Sequence, residues 1–265
     1  MGIYKILIKL TVVFFFFGCF NGCKPAPKKI AIQTVDVSKK KASILKFPKY
    51  LNSNYVLGKF DYSKNIDFAM VPKENASKNI YVRKEVLTAF LQMNDAALKD
   101  GVSLKIISGT RNFEYQKRIW DYKWNEKYKN IPPLKRAKKI LEFSSMPSTS
   151  RHHWGTDIDI NNLNNSYFTK GKGLKEYNWL LKNAQKYGFY QVYTSKENGR
   201  TGYSEEKWHW TYLPLSSLYV KFYNANIKLK DINGFKGYSY AKELNVIKNY
   251  VNGINPEIIK KSIKN

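Results

Sequence analysis

The chain has three histidines, His152, His153 and His209, and all of them fall in two short segments. The first reads Ser150-Arg151-His152-His153-Trp154-Gly155-Thr156-Asp157-Ile158-Asp159, and the second reads Glu206-Lys207-Trp208-His209-Trp210. If these imidazoles and acids serve one purpose, the fold must bring the two segments together. Zinc takes imidazole nitrogen and carboxylate oxygen in a tetrahedron at about 2.0–2.2 Å. Two histidines, one aspartate and a nearby free glutamate therefore make a catalytic zinc site, with three protein ligands, one open position for water and a base beside it.

His152 and Asp159 are seven residues apart with Gly155 between them. That gap suits a ligand, a glycine-permitted turn and a second ligand on a returning strand. His209 must then come from a different strand. Two substitutes stay open: His153 for His152, and Asp157, on the same strand face as Asp159, as a swap or as support from behind. Glu206, three residues before His209, is the candidate general base, with Glu205 its rival. Arg111 is suited to neutralising an oxyanion or holding a substrate carboxylate.

The surrounding pattern mixes helices and strands without the regular alternation of a parallel sheet, so the predicted class is α+β. Apolar residues Val86, Ala89, Phe90, Met93 and Ala97 recur at helical spacing, and Gly101 closes that helix. Residues 103–107 read as a strand, and Asn112 as the cap of a helix reaching about Trp124. Arg111 thus sits at a strand-to-helix junction. Pro132-Pro133 opens a basic helix through Phe143. Thr156–Ile160 reads as a strand with both aspartates on one face. A helix from Leu174 to Tyr187 is expected to turn Leu174, Tyr177, Leu181 and Ala184 inward. On the strand Trp208–Leu213, His209 and Thr211 lie opposite Trp208, Trp210 and Tyr212. Tyr240, Leu244, Ile247 and Val251 suggest one amphipathic helix near the end.

Taken together, Ser150-x-His152-x-x-Gly155-x-Asp157-x-Asp159, then Glu206-x-Trp208-His209, preceded by Ser108-Gly109-x-Arg111 with Gln116 five residues on, resembles the VanY-like zinc D-alanyl-D-alanine carboxypeptidases. The resemblance runs from about Lys59 to Pro214. It implies that His152, Asp159 and His209 bind one zinc ion and that Glu206 is the general base. It implies that Arg111 stabilises the tetrahedral intermediate, and that Gln116 and Ser150 hold the peptide end of the substrate. It also implies a small antiparallel sheet flanked by helices, the Hedgehog/DD-peptidase fold, and peptidoglycan peptides as substrate. Members remove terminal D-alanine as DD- or LD-carboxypeptidases, and others are wall endopeptidases. A non-catalytic zinc-containing wall-binding lipoprotein is the alternative of another class. Two positions depart from the family pattern: Arg151 stands where many members have an acid, and Asp157 where many have alanine.

The N-terminus speaks to compartment. Lys5 and Lys9 precede the apolar run Leu10–Phe17, followed by Gly18-Cys19 and Gly22-Cys23. This is a secretory, lipoprotein-type pattern, too short for an ordinary spanning helix. The expected organisation is a signal segment over 1–23, a Lys-rich tether over 24–54, the zinc peptidase domain over 55–220 and a basic, helical extension over 221–265. The expected location is the cell envelope, periplasm-facing, with the membrane held through a lipid on Cys19 or Cys23 and the protein a monomer. Cys19 and Cys23 are the only cysteines, so no disulfide staples the mature domain. The formal charge of +26 favours anionic surroundings. Export and a pocket built for a carbonyl argue against a nucleic-acid partner.

Overall fold

Strand β4 (Asp157–Ile160) alternates acid and isoleucine, yet all four residues are buried, because both of its faces are covered. In this computed structural model, which describes residues 47–264, β4 lies inside a four-stranded antiparallel sheet of order β3-β4-β6-β5. Here β3 is Ile106–Ser108, β5 is Phe189–Gln191 and β6 is His209–Tyr212. A second, two-stranded antiparallel pair joins β1 (Phe68–Met70) to β2 (Tyr81–Arg83). The class is α+β.

One face of the larger sheet supplies Ile106, Ile158, Ile160, Phe189 and Trp210 to a core shared with Val86, Phe90, Met93 and Ala97 of α2 (Lys84–Lys99) and Tyr177 and Leu180 of α5 (Gly171–Asn183). Each large side chain buried there contributes roughly 1.5–3 kcal/mol before conformational entropy is subtracted. The opposite face of β4 and β6 carries Asp157, Asp159, His209 and Thr211. In register, Asp157 pairs with Thr211 and Asp159 with His209. A second core gathers Trp120 of α3 (Phe113–Tyr122), Trp124 of the π-turn that follows, α4 (Pro133–Ile140) and the C-terminal Ile232, Phe235 and Leu244. A third packs Tyr55 of α1 (Ser53–Val56), Phe68 and Trp154 against Tyr219 and Tyr223 of α6 (Leu213–Asn226).

Several local expectations shift. In α5 the buried arc runs through Gly173, Glu176, Tyr177 and Leu180, so Leu174 and Leu181, on the flank of that arc, are 37% and 51% exposed. The stretch from Tyr240 to Val251 is not one helix but a 3-10 turn (Tyr238–Ala241) and a π-turn (Ile247–Val251). Its apolar residues serve two cores at once, which a single helical stripe cannot do. Residues 221–226 end α6, and Ile227, Ile232, Phe235 and Ile258 beyond it are buried. At the other end, Phe47 meets Phe222 edge-on at 5.0 Å and Leu51 is buried, so the last residues assigned to the tether pack on the domain. The signal segment 1–23 with Cys19 and Cys23 and the tether up to residue 46 lie outside the described residues. Among those described, no helix is long and apolar enough to cross a membrane.

Candidate metal centre

Asp159 on β4 faces His209 on β6 directly across the ladder, and His152 arrives from the short 3-10 turn Arg151–Trp154. That turn reverses at Gly155, whose φ of +72° is left-handed and whose added Cβ would stand 2.4 Å from Cε1 of Phe68; only glycine fits there. One ligand atom from each of His152, Asp159 and His209 lies within 4.8 Å of the others, and all three residues are buried. The imidazoles stand edge-to-face at 4.7 Å.

Both rings have their outward nitrogens committed. His152 Nδ1 donates to the Gly109 carbonyl at 2.8 Å, which leaves Nε2 as a lone pair 3.4 Å from Asp159 Oδ2. A Cβ on Gly109 would meet the Tyr81 carbonyl at 2.7 Å, so glycine lets this turn close on β2. His209 Nε2 donates to Asp157 Oδ2 at 2.9 Å. Its Nδ1 points the other way, 3.1 Å from Asp159 Oδ1 and 3.5 Å from Glu206 Oε2. Asp159 Oδ1 is buried with no hydrogen-bond partner among the described residues. A buried carboxylate beside two imidazole nitrogens, with one oxygen unpartnered among the described residues, fits a cation better than it fits an apolar core.

Electrostatics follows from this. Burial pushes Asp159 up, but the adjacent His152 and His209 outweigh it and hold the carboxyl well below its usual range. Burial, helped by Arg111, keeps His152 neutral by pushing its pKa down. Burial also lowers His209, yet its bond to Asp157 and the charge of Asp159 beside it prevail and raise it to about 9. Burial raises Glu206 to about 8, with His209 pulling the other way.

Asp157 is not a member of the cluster. It stands behind His209, fully buried, and accepts from Arg151 Nε at 2.8 Å, Thr156 Oγ1 at 2.8 Å and Thr211 Oγ1 at 2.6 Å. Arg151 itself lies over the Trp154 ring at 4.6 Å. Asp157 thus fixes the tautomer and orientation of His209, as a carboxylate does behind a histidine that offers its other nitrogen to a metal. His153 does not join the cluster either. It donates through Nδ1 to the Arg111 carbonyl at 2.6 Å and accepts at Nε2 from the Ser148 N–H at 3.1 Å. The Arg111 N–H in turn donates to the His152 carbonyl at 3.1 Å. The two histidines therefore clamp the Arg111 backbone from both sides.

The cluster opens on a cleft of about 560 Å³ lined by Arg111, Gln116, Ser150 and Glu206 as well as the three ligand candidates. Arg111 Nη1 donates to Ser108 Oγ at 3.1 Å, and its Nε is buried without a partner among the described residues. Gln116 donates to the Ser145 carbonyl at 2.8 Å while its Oε1, like Ser150 Oγ, is unpartnered among the described residues. Glu205 is half-buried and outside the cleft lining. Tyr193, whose ring lies 4.8 Å from His209, and Lys123, which also lines the cleft, were not singled out in the sequence. Lys123 was discoverable: it lies seven residues, two helical turns, beyond Gln116 on the same face.

Known proteins share this arrangement of sequence. A family model described as VanY, D-alanyl-D-alanine carboxypeptidase, matches residues 79–215. YodJ of Bacillus subtilis is 34% identical over 139 residues, 50% of this chain and 46% of its own length. A D-alanyl-D-alanine carboxypeptidase of Enterococcus faecalis is 31% identical over 147 residues, 55% of this chain and 53% of its own length. The chain thus spans about half the length of the curated relatives it matches. Among solved structures, VanYB in complex with D-alanine-D-alanine superposes with a TM-score of 0.48 at 24% identity, over 63% of this chain and 87% of that one.

Proposed function

The chain belongs to the VanY D-alanyl-D-alanine carboxypeptidase family, and from that premise we propose that it is a zinc-dependent carboxypeptidase removing the terminal D-alanine of peptidoglycan stem peptides, as a DD- or LD-enzyme. The observation that carries this reading is the convergence of His152, Asp159 and His209 beside Glu206 on the wall of one cleft. His152 Nε2, Asp159 and His209 Nδ1 would hold a single zinc ion. When bound, zinc polarises the scissile carbonyl and makes a water acidic near neutral pH.

The protein side chains do the rest. Glu206 takes the proton of the attacking water and returns it to the leaving amine; a carboxyl poised near neutrality by burial can do both. Arg111, which lines the cleft without a carboxylate in ion-pair distance among the described residues, neutralises the oxyanion or holds the terminal carboxylate. Gln116 and Ser150 line the cleft, each with one side-chain oxygen unpartnered among the described residues, and would hold the peptide. Asp157, with Arg151 behind it, keeps His209 presenting Nδ1. We place the protein in the cell envelope as an exported lipoprotein anchored through Cys19 or Cys23, on the strength of the Lys5–Phe17 pattern and the Gly-Cys steps after it.

Glu206→Gln tests the reading. The variant should still bind one zinc while release of D-alanine from tetra- and pentapeptide muropeptides, followed by mass spectrometry, falls by about 10²–10⁴-fold. Turnover within a few-fold of the wild type would remove Glu206 from the role of base.

A further inference from the structure

Lys123 occupies an unusual place for a lysine. It opens the π-turn Lys123–Lys127 at the end of α3, lines the catalytic cleft with Arg111, and is half-buried. Its ammonium donates to the Ser144 hydroxyl. Among the described residues no carboxylate lies within ion-pair distance of it, whereas Lys117 and Lys139 on the neighbouring helices pair with Asp121 and Glu142. A half-buried ammonium without a counter-ion is held at a cost unless something brings it one.

The charge inventory of the cleft points the same way. Its acids are Asp159 and Glu206; its cations without an ion pair among the described residues are Arg111 and Lys123, because Arg151 is neutralised by Asp157. Acids and cations balance, so a divalent metal leaves two positive charges in excess. A peptide with one free carboxylate compensates only one of them.

We propose that the Lys123 ammonium, together with the Ser144 hydroxyl, is a docking point for a free carboxylate of the stem peptide, which makes Lys123 a specificity-determining residue for doubly anionic substrates. The inference rests on the peptidase reading of this cleft. The carboxylate has two possible sources in such a peptide: the C-terminus of the residue to be released, or the second carboxylate of an internal diamino-dicarboxylic residue.

Three synthetic peptides separate them: one with a free C-terminus and meso-diaminopimelate, one with lysine in its place, and one with diaminopimelate but an amidated C-terminus. KM and kcat are measured for the wild type, Lys123→Met, Lys123→Arg and Ser144→Ala. Binding is measured in parallel by calorimetry in the Glu206→Gln background. Lys123→Met should weaken the first peptide about tenfold or more, the loss of a charge-assisted hydrogen bond, with kcat changed by no more than about twofold. Lys123→Arg should restore most of the affinity. The loss should vanish for the lysine peptide if the diamino residue supplies the carboxylate, and for the amide if the C-terminus does. Equal weakening of all three peptides, or of none, overturns the proposal. Hydrolysis that is indifferent to Lys123 would leave the peptidase reading standing without the docking point. Lys123-dependent binding without hydrolysis would do the reverse, and no binding of any peptide would end both.

Discussion

Replacing Asp157 by alanine should be far more damaging than the residue it creates would suggest, and the damage should be mostly reversible by a second substitution. Arg151 is 1% exposed and Asp157 is fully buried. Truncating Asp157 strands the guanidinium: Nε loses its 2.8 Å partner, Nη1 already has none among the described residues, and only Nη2 keeps Thr211 Oγ1 at 3.1 Å. Breaking a buried pair on one side typically costs about 3–5 kcal/mol, a large share of the roughly 5–15 kcal/mol by which a domain is stable. Removing both charges, as Arg151→Met with Asp157→Ala, leaves an apolar residue on Trp154 and should recover most of that loss. The sign with pH is fixed by the same contacts. Burial opposes ionisation of Asp157, but Arg151 and His209 hold its carboxyl below the ordinary range. Its contribution is therefore present above the unfolded pKa of about 4 and is lost as pH falls through the folded value. Urea unfolding of the metal-free proteins at pH 7 gives the cycle. Zinc competition against a chelator reads the second effect: without Asp157 to fix Nε2–H of His209, affinity should fall about 10–100-fold, or about 1.4–2.7 kcal/mol, in the single and the double variant alike. A single variant within about 1 kcal/mol of wild type, or a double variant as unstable as the single, would refute the stranded-charge argument.

Two further outcomes follow from titration. His153 is held neutral, its pKa lowered by burial to about 3, so its stabilising effect is complete above the unfolded value of about 6.5 and drains away as pH falls toward 3, at up to about 1.4 kcal/mol per unit. Glu206, raised to about 8, gives the opposite slope above about 4.5, so urea midpoints between pH 6.5 and 4.5 should be compared in the Glu206→Gln background. There the acid loss should shrink in His153→Gln to the part left by His152, whose pKa burial also lowers, and an unchanged slope would sink the assignment. Zinc uptake should release protons, because His209 and Glu206, raised to about 9 and about 8, are protonated at pH 7 without a metal. Calorimetry in buffers of different ionisation heat should give about two protons per zinc at pH 7, and about one in Glu206→Gln; no release in either protein contradicts the ligand assignment.

The core was legible where one stripe faces one neighbour. The α2 residues Val86, Ala89, Phe90, Met93 and Ala97 are all buried, as their spacing predicts, and Asn112 caps α3 through Tyr115 N. Legibility failed where a segment serves two neighbours. The α5 arc is displaced because Glu176 is buried to receive the Tyr167 hydroxyl, which a hydrophobic pattern counts as an outward residue. The segment around Tyr238–Val251 is divided between the second and third cores, so no single period describes it.

The site shows a deeper limit of sequence reasoning. On β4 the two acids are equivalent by alternation, and the sequence left either one available to a metal. What separates them is register: β6 sets Asp159 against His209 and Asp157 against Thr211. Nδ1 of His209 therefore turns toward Asp159 and Nε2 toward Asp157. The histidines divide in the same way. His152 keeps Nε2 free because Gly109 takes its other nitrogen, while His153 has both nitrogens used in holding Arg111 and Ser148. A side chain stays available to a metal here when its backbone neighbours leave one nitrogen uncommitted, and that depends on which carbonyl the fold brings within 3 Å. Residue type and spacing named the candidates; hydrogen-bond partners from β6 and from the β3–α3 turn chose among them.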